Sequence, residues 1–165
     1  MIPLFDLKKS KKIPCITIAL ILTNIIFFFV KQDFSLFSHV NLWHLLSNMW
    51  FLWIFGDNVE AKIGPLKFLF LYFISGIVTL IFIKEMTSVP AVGASSAIAG
   101  VMGAYLILFP KNKLKVFPNF TCPSFVYIIL WILLQALFFY FEGGFSFLGH
   151  MVGFISGILI VLFFK

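Results

Sequence analysis

The chain is 165 residues long, 62% hydrophobic and 11% charged, with a formal net charge of +6. A soluble domain cannot hide that much apolar surface, so these values exclude an ordinary globular enzyme and predict a single polytopic membrane domain over residues 1–165. All 12 basic residues are lysines lying beside apolar segments, which points to membrane orientation and to the lipid bilayer as partner, with no nucleic acid.

The first apolar run, 13–30, follows Lys8, Lys9, Lys11 and Lys12. It ends without a small-x-small cleavage pattern and reads as a retained anchor. A bilayer core takes roughly 20 apolar residues per helix, fewer where polar residues sink into a cavity. Five further spans follow at 42–55, 66–83, 95–109, 124–141 and 147–164. The second and fourth are short and carry polar residues at one end, as expected of helices lining a wet pocket. The predicted fold is an all-α membrane bundle of six transmembrane helices with a polar cavity opening outward. Ten lysines fall on one side of this layout, and Lys31 and Lys84 fall on the other. That bias places both termini in the cytoplasm. The small size predicts a prokaryotic plasma membrane. Cys15 and Cys122 fall at different depths, so no disulfide is expected.

Orientation brings the polar residues to one depth. His44 and Asn48, Ser95, and His150 each begin a span at its outer end. Ionisable residues inside a membrane are costly and are functional candidates by default. Serine is a weak nucleophile until a base takes its proton, and histidine suits that task. Ser95 and His150 are therefore the predicted nucleophile and general base. Their helices can approach closely because Ser95, Ala99 and Gly103 form a small-residue stripe on one helix, while Gly153 and Gly157 share the face of His150 on the other. His44 and Asn48, four residues apart, share a helix face and can donate to a developing oxyanion. The Ser95 backbone N–H, at a helix start, can join them. Taken alone, the glycines suit plain helix packing and Asn48 suits a structural bridge. The chain has no His-Glu-x-x-His, no carboxylate within a span and no glycine-rich phosphate loop. These absences predict a Ser–His dyad with no cofactor and no metal.

Three motifs in order carry a family resemblance. Phe37-Ser38-His39-Val40-Asn41-Leu42-Trp43-His44-Leu45-Leu46-Ser47-Asn48-Met49 looks like the helix-2 motif of the rhomboid intramembrane serine proteases. Gly93-Ala94-Ser95-Ser96 looks like their nucleophile motif, and His150-Met151-Val152-Gly153 with Gly157 looks like their base motif. Gly56 to Glu60 matches a Gly-x-x-x-Glu found after helix 2. The resemblance covers nearly the whole chain. It implies a serine endopeptidase that cuts single-span membrane proteins near the outer boundary. In that reaction Ser95 attacks, His150 moves the proton, and Asn48, His44 and the Ser95 amide hold the oxyanion. Gly93, Ala99, Gly103, Gly153 and Gly157 would pack the site.

Four departures accompany the resemblance. Ser96 stands where the family usually has glycine. Ala99 stands where a bulky, often aromatic, residue packs against the base histidine. The first outer loop is only 31–41, and the chain has no arginine. Two other readings compete with protease activity. One is a catalytically inactive rhomboid-like protein that binds or escorts membrane helices. The other is a small transporter, which the lack of an internal repeat disfavours.

Overall fold

The apolar runs fold as helices. The computed structural model describes residues 3–8, 10–30, 36–86, 94–142 and 146–164. Its elements are β1 Pro3–Asp6, α1 Cys15–Phe29, α2 Leu42–Ile63, α3 Pro65–Met86, α4 Ser95–Leu108, β2 Lys113–Val116, β3 Phe120–Pro123, α5 Ser124–Glu142 and α6 Ser146–Phe163. Helices α3, α5 and α6 are long and apolar enough to cross a membrane, while α1 and α4 are shorter apolar helices.

Two features depart from the expected layout. Helix α2 does not stop at residue 55 but continues to Ile63. Hydropathy falls at Asp57, Asn58 and Glu60, yet all three are buried. The stop is conformational instead. Gly64 takes a positive φ of 88°, a conformation that favours glycine, and Pro65 opens α3. At the other end, Asn41 caps α2 by accepting a hydrogen bond from the His44 backbone N–H at 2.9 Å.

The second departure is a three-stranded antiparallel sheet in a chain expected to be all helix. Strand β2 lies between β1 and β3, with Pro3 opposite Val116 and Leu114 opposite Cys122. Asp6 anchors it. Its carboxylate accepts hydrogen bonds from Asn58 of α2 (2.7 Å), Asn112 (3.2 Å) and the Tyr105 hydroxyl of α4. The amino-terminal strand is thereby tied to two helices and to the link that follows α4.

A second carboxylate, Glu60, ties α1 to α2. It accepts from the Ile16 and Thr17 backbone N–H groups at 2.9 and 2.8 Å and from the Thr17 hydroxyl at 2.8 Å. Helix α1 has no side-chain cap of its own at Pro14, so Glu60 satisfies amides its first turn cannot. Gly56, one turn earlier, leaves room for Thr17: a Cβ there would lie 3.0 Å from the Thr17 Oγ1. The Gly56 to Glu60 spacing is thus a docking device for α1, with Glu60 buried in the contact.

Helix α4 is the core. It is buried continuously from Ser96 to Tyr105 and packs against α2, α3 and α6. Its contact with α6 is backbone to backbone. A Cβ at Gly153 would strike the Ser96 carbonyl, one at Gly157 the Gly100 carbonyl, and one at Gly103 the Phe154 carbonyl. Ser96 and Gly100 meet Gly153 and Gly157 in the same order, so the two helices run parallel, and their starting residues lie at the same end. Helix α5 is more loosely held: it meets α6, α4 and the sheet, and touches α2 through the Tyr127 ring on Phe55, centroids 6.2 Å apart.

Candidate active site

The parallel α4–α6 register places Ser95, the first residue of α4, at the same end of the helix pair as His150, near the start of α6. Both line a cavity of about 250 Å³, together with His44, Ser47, Asn48 and Phe51 of α2, Ile98, Ala99 and Met102 of α4, and Trp131 and Gln135 of α5. All four polar residues singled out in the sequence therefore meet in one place. Among the described residues no hydrogen bond joins Ser95 to His150.

Each polar group has an identifiable setting. The Asn48 side chain is buried, and its Nδ2 has no hydrogen-bond partner. Such a donor is costly to leave unmet in an apolar surrounding. His150 Nδ1 is likewise buried and, among the described residues, unpartnered by a carboxylate or any other group. What orients the His150 ring is packing: the Trp131 indole lies 5.8 Å from it, centroid to centroid, at 40°. Trp131 also packs on Phe154, at 6.4 Å. The Ser95 amide belongs to the first turn of α4, whose cap residue Ala94 makes no side-chain hydrogen bond.

His39 braces the α2 side. Its ring packs edge-on against His44 at 5.2 Å, and its Nδ1 lies 2.9 Å from the Phe37 carbonyl. Burial lowers its pKa to about 4, the Phe37 carbonyl opposes that shift, and the neighbouring His44 adds to it, so the ring is neutral at neutral pH.

Gly103, Gly153 and Gly157 sit in the α4–α6 contact, and Ala99 lines the cavity. Gly93 lies outside the described residues. Sequence reasoning places a span at 124–141 but assigns it no site residue; Trp131 and Gln135 enter only with the structure, although an amide within an apolar run is a visible signal. Among the described residues, no three His, Cys, Asp or Glu side chains gather closely enough to hold a metal ion. Cys15 and Cys122 are both free thiols.

The chain is similar to known proteins over most of its length. A family model described as the Rhomboid domain matches residues 26–165. The chain is 32% identical over 136 residues to Rhomboid protein 1, mitochondrial, of Saccharomyces cerevisiae, covering 76% of this chain and 39% of that one. It is 32% identical over 95 residues to the human presenilin-associated rhomboid-like protein, mitochondrial, covering 53% of this chain and 25% of that one. A third relative is Inactive RHOMBOID-like protein 8 of Arabidopsis thaliana, 33% identical over 75 residues, 45% of this chain and 21% of that one. The chain thus spans well under half the length of these relatives.

The mitochondrial relatives overturn the expected prokaryotic plasma membrane with cytoplasmic termini. That expectation rested on small size and lysine bias. Lysine bias orients a chain across a membrane, but it does not say which membrane. By the extent of the family match, this chain belongs to the rhomboid family.

Proposed function

We propose that this protein is an intramembrane serine endopeptidase that cleaves single-span membrane proteins, working in a mitochondrial membrane as the names of its relatives suggest. The observation that carries the reading is that Ser95, His150, Asn48 and His44, from three separate helices, line one cavity. In this reading all six helices span the bilayer, residues 1–165 act as one membrane domain, and the cavity opens toward the face where α4 and α6 begin.

The chemistry follows from the residue types. Ser95 Oγ attacks the scissile carbonyl carbon while His150 takes the hydroxyl proton. The carbonyl oxygen becomes an oxyanion, met by Asn48 Nδ2, the His44 ring and the Ser95 backbone N–H. His150 then gives the proton to the leaving amine, and a water molecule, activated by the same histidine, releases the acyl group from Ser95. The unpartnered Nδ1 of His150 fits a dyad, in which ring packing by Trp131 replaces an orienting carboxylate. Catalytic hydrogen bonds are often long before substrate arrives, so the open Ser95–His150 geometry is compatible with this role. A substrate helix must unwind locally before its peptide bond can reach Ser95, which favours helices weakened by glycine or proline.

The test is cleavage of a single-span substrate with a glycine-weakened helix by the purified protein in liposomes, beside Ser95→Ala and His150→Ala. Cleavage and fluorophosphonate labelling of Ser95 are expected in the wild type and absent in both variants. Asn48→Ala is expected to lower the rate by about 10²–10³-fold. The resemblance to a plant protein named inactive favours a second reading, a helix-binding member without catalysis. A folded wild type that neither labels nor cleaves selects that reading.

A further inference from the structure

Gln135 is the only amide side chain in α5, a helix otherwise dominated by Phe, Leu, Ile and other apolar residues. It lies four residues after Trp131, so the two share a face. Both line the cavity that holds Ser95 and His150. Among the described residues nothing hydrogen-bonds to the Gln135 amide, and its polar atoms are not sealed in protein. The opposite wall is α2, with Ser47 and Asn48. The two helices meet at Phe55 and Tyr127, whose ring centroids are 6.2 Å apart, and the cavity lies between them at the level of Asn48 and Gln135.

An amide facing a cavity from a membrane helix is an expensive choice unless something meets it. Its chemistry narrows what that is. A glutamine offers two N–H donors and a carbonyl acceptor, and carries no charge. A peptide backbone presents the complementary pair, one N–H and one C=O per residue. A membrane helix that unwinds near Ser95 exposes such groups where water is scarce, and each must find a partner. Ser95 and the oxyanion donors engage one carbonyl, and residues beside it in the extended stretch need another site.

We propose that Gln135 is a substrate-binding residue whose amide pairs with the main chain of the unwound transmembrane substrate, on the wall facing Ser95. This rests on the protease reading above. Recognition of backbone selects for an unwound stretch and tolerates varied side chains. It thus sets specificity by helix stability and not by sequence.

Gln135→Met removes the amide at similar volume, and Gln135→Asn withdraws it by one methylene. Both are compared with wild type in liposomes, by the labelling rate of Ser95 with a small fluorophosphonate and by KM and kcat on a single-span substrate. The expected result is unaltered labelling and a KM raised about tenfold in the methionine variant, equivalent to about 1.4 kcal/mol, with the asparagine variant between. The KM increase should be equal for substrates that differ in side chains near the cut but share the same helix-weakening residues. An unchanged KM overturns the proposal, as does a labelling rate that falls with it, since the side chain would then act on the Ser95 site itself. If the methionine variant fails to fold, the asparagine variant carries the same comparison. A wild type that neither labels nor cleaves removes the protease reading and this proposal together, a result distinct from an active enzyme indifferent to residue 135.

Discussion

The Trp131 indole packs on the His150 imidazole with ring centroids 5.8 Å apart, joining the otherwise loosely held α5 to the candidate base on α6. Ala99, on α4, lines the same cavity and offers no ring. The aromatic support for His150 therefore comes from a helix other than the one the family resemblance indicated.

Removing that support should disturb catalysis more than folding. Trp131→Ala is expected to slow both Ser95 labelling and substrate cleavage by about 10–100-fold, the scale of a misplaced catalytic group. Trp131→Phe keeps a ring and should retain most of the rate. Labelling kinetics with a small fluorophosphonate check this, because they read the nucleophile without the substrate. An equal loss in both variants would argue against ring packing as the cause.

The α4–α6 glycines should differ sharply in tolerance. A Cβ at Gly157 meets the Gly100 carbonyl, which is backbone and cannot swing aside. Gly157→Val is expected to cost about 2–3 kcal/mol or to prevent folding. Gly149, one turn before Gly153 on the same helix, has only Thr79 Cγ2 nearby, at 3.5 Å. Gly149→Ala should stay within about 0.5 kcal/mol of wild type. Thermal unfolding in detergent measures both.

Glu60 should matter through α1. Glu60→Ala leaves the Ile16 and Thr17 N–H groups and the Thr17 hydroxyl without their acceptor. The expected loss is about 2–3 kcal/mol, the range for buried hydrogen bonds to a charged group. Glu60→Gln retains one acceptor oxygen and should lose about half as much. Hydrogen exchange at residues 15–18 should rise in the alanine variant while exchange in α4 changes little.

Acid should loosen the α2 end through His39. Its folded pKa is lowered from 6.5 to about 4, so between those values the unfolded chain binds the proton and the folded chain does not. The stability held above pH 6.5 is therefore lost progressively as pH falls toward about 4. His39→Gln removes this titration and should flatten the pH dependence of the melting temperature across that window. An identical slope in the variant would assign the effect to other groups.

The sequence by itself determined where the apolar helices lie and singled out the polar residues that line one cavity. Both are local properties: hydropathy accumulates along a run, and Ser95, His150, His44 and Asn48 stand out because polar side chains are costly there. The close α4–α6 approach was also readable, since small residues at helical spacing mean the same thing wherever they occur. Only the tertiary structure decided why Glu60 is buried and what surrounds His150. Glu60 answers to amides on α1, Asp6 to donors on α2, on α4 and in the link after it, and His150 to a ring on α5. These partners lie tens to about a hundred residues apart in the chain, and hydropathy, which reads one segment at a time, contains no term for them. The strands were hidden for the same reason. Four residues are too few to show a period, and β1 is a strand only because β2 is there to pair with it.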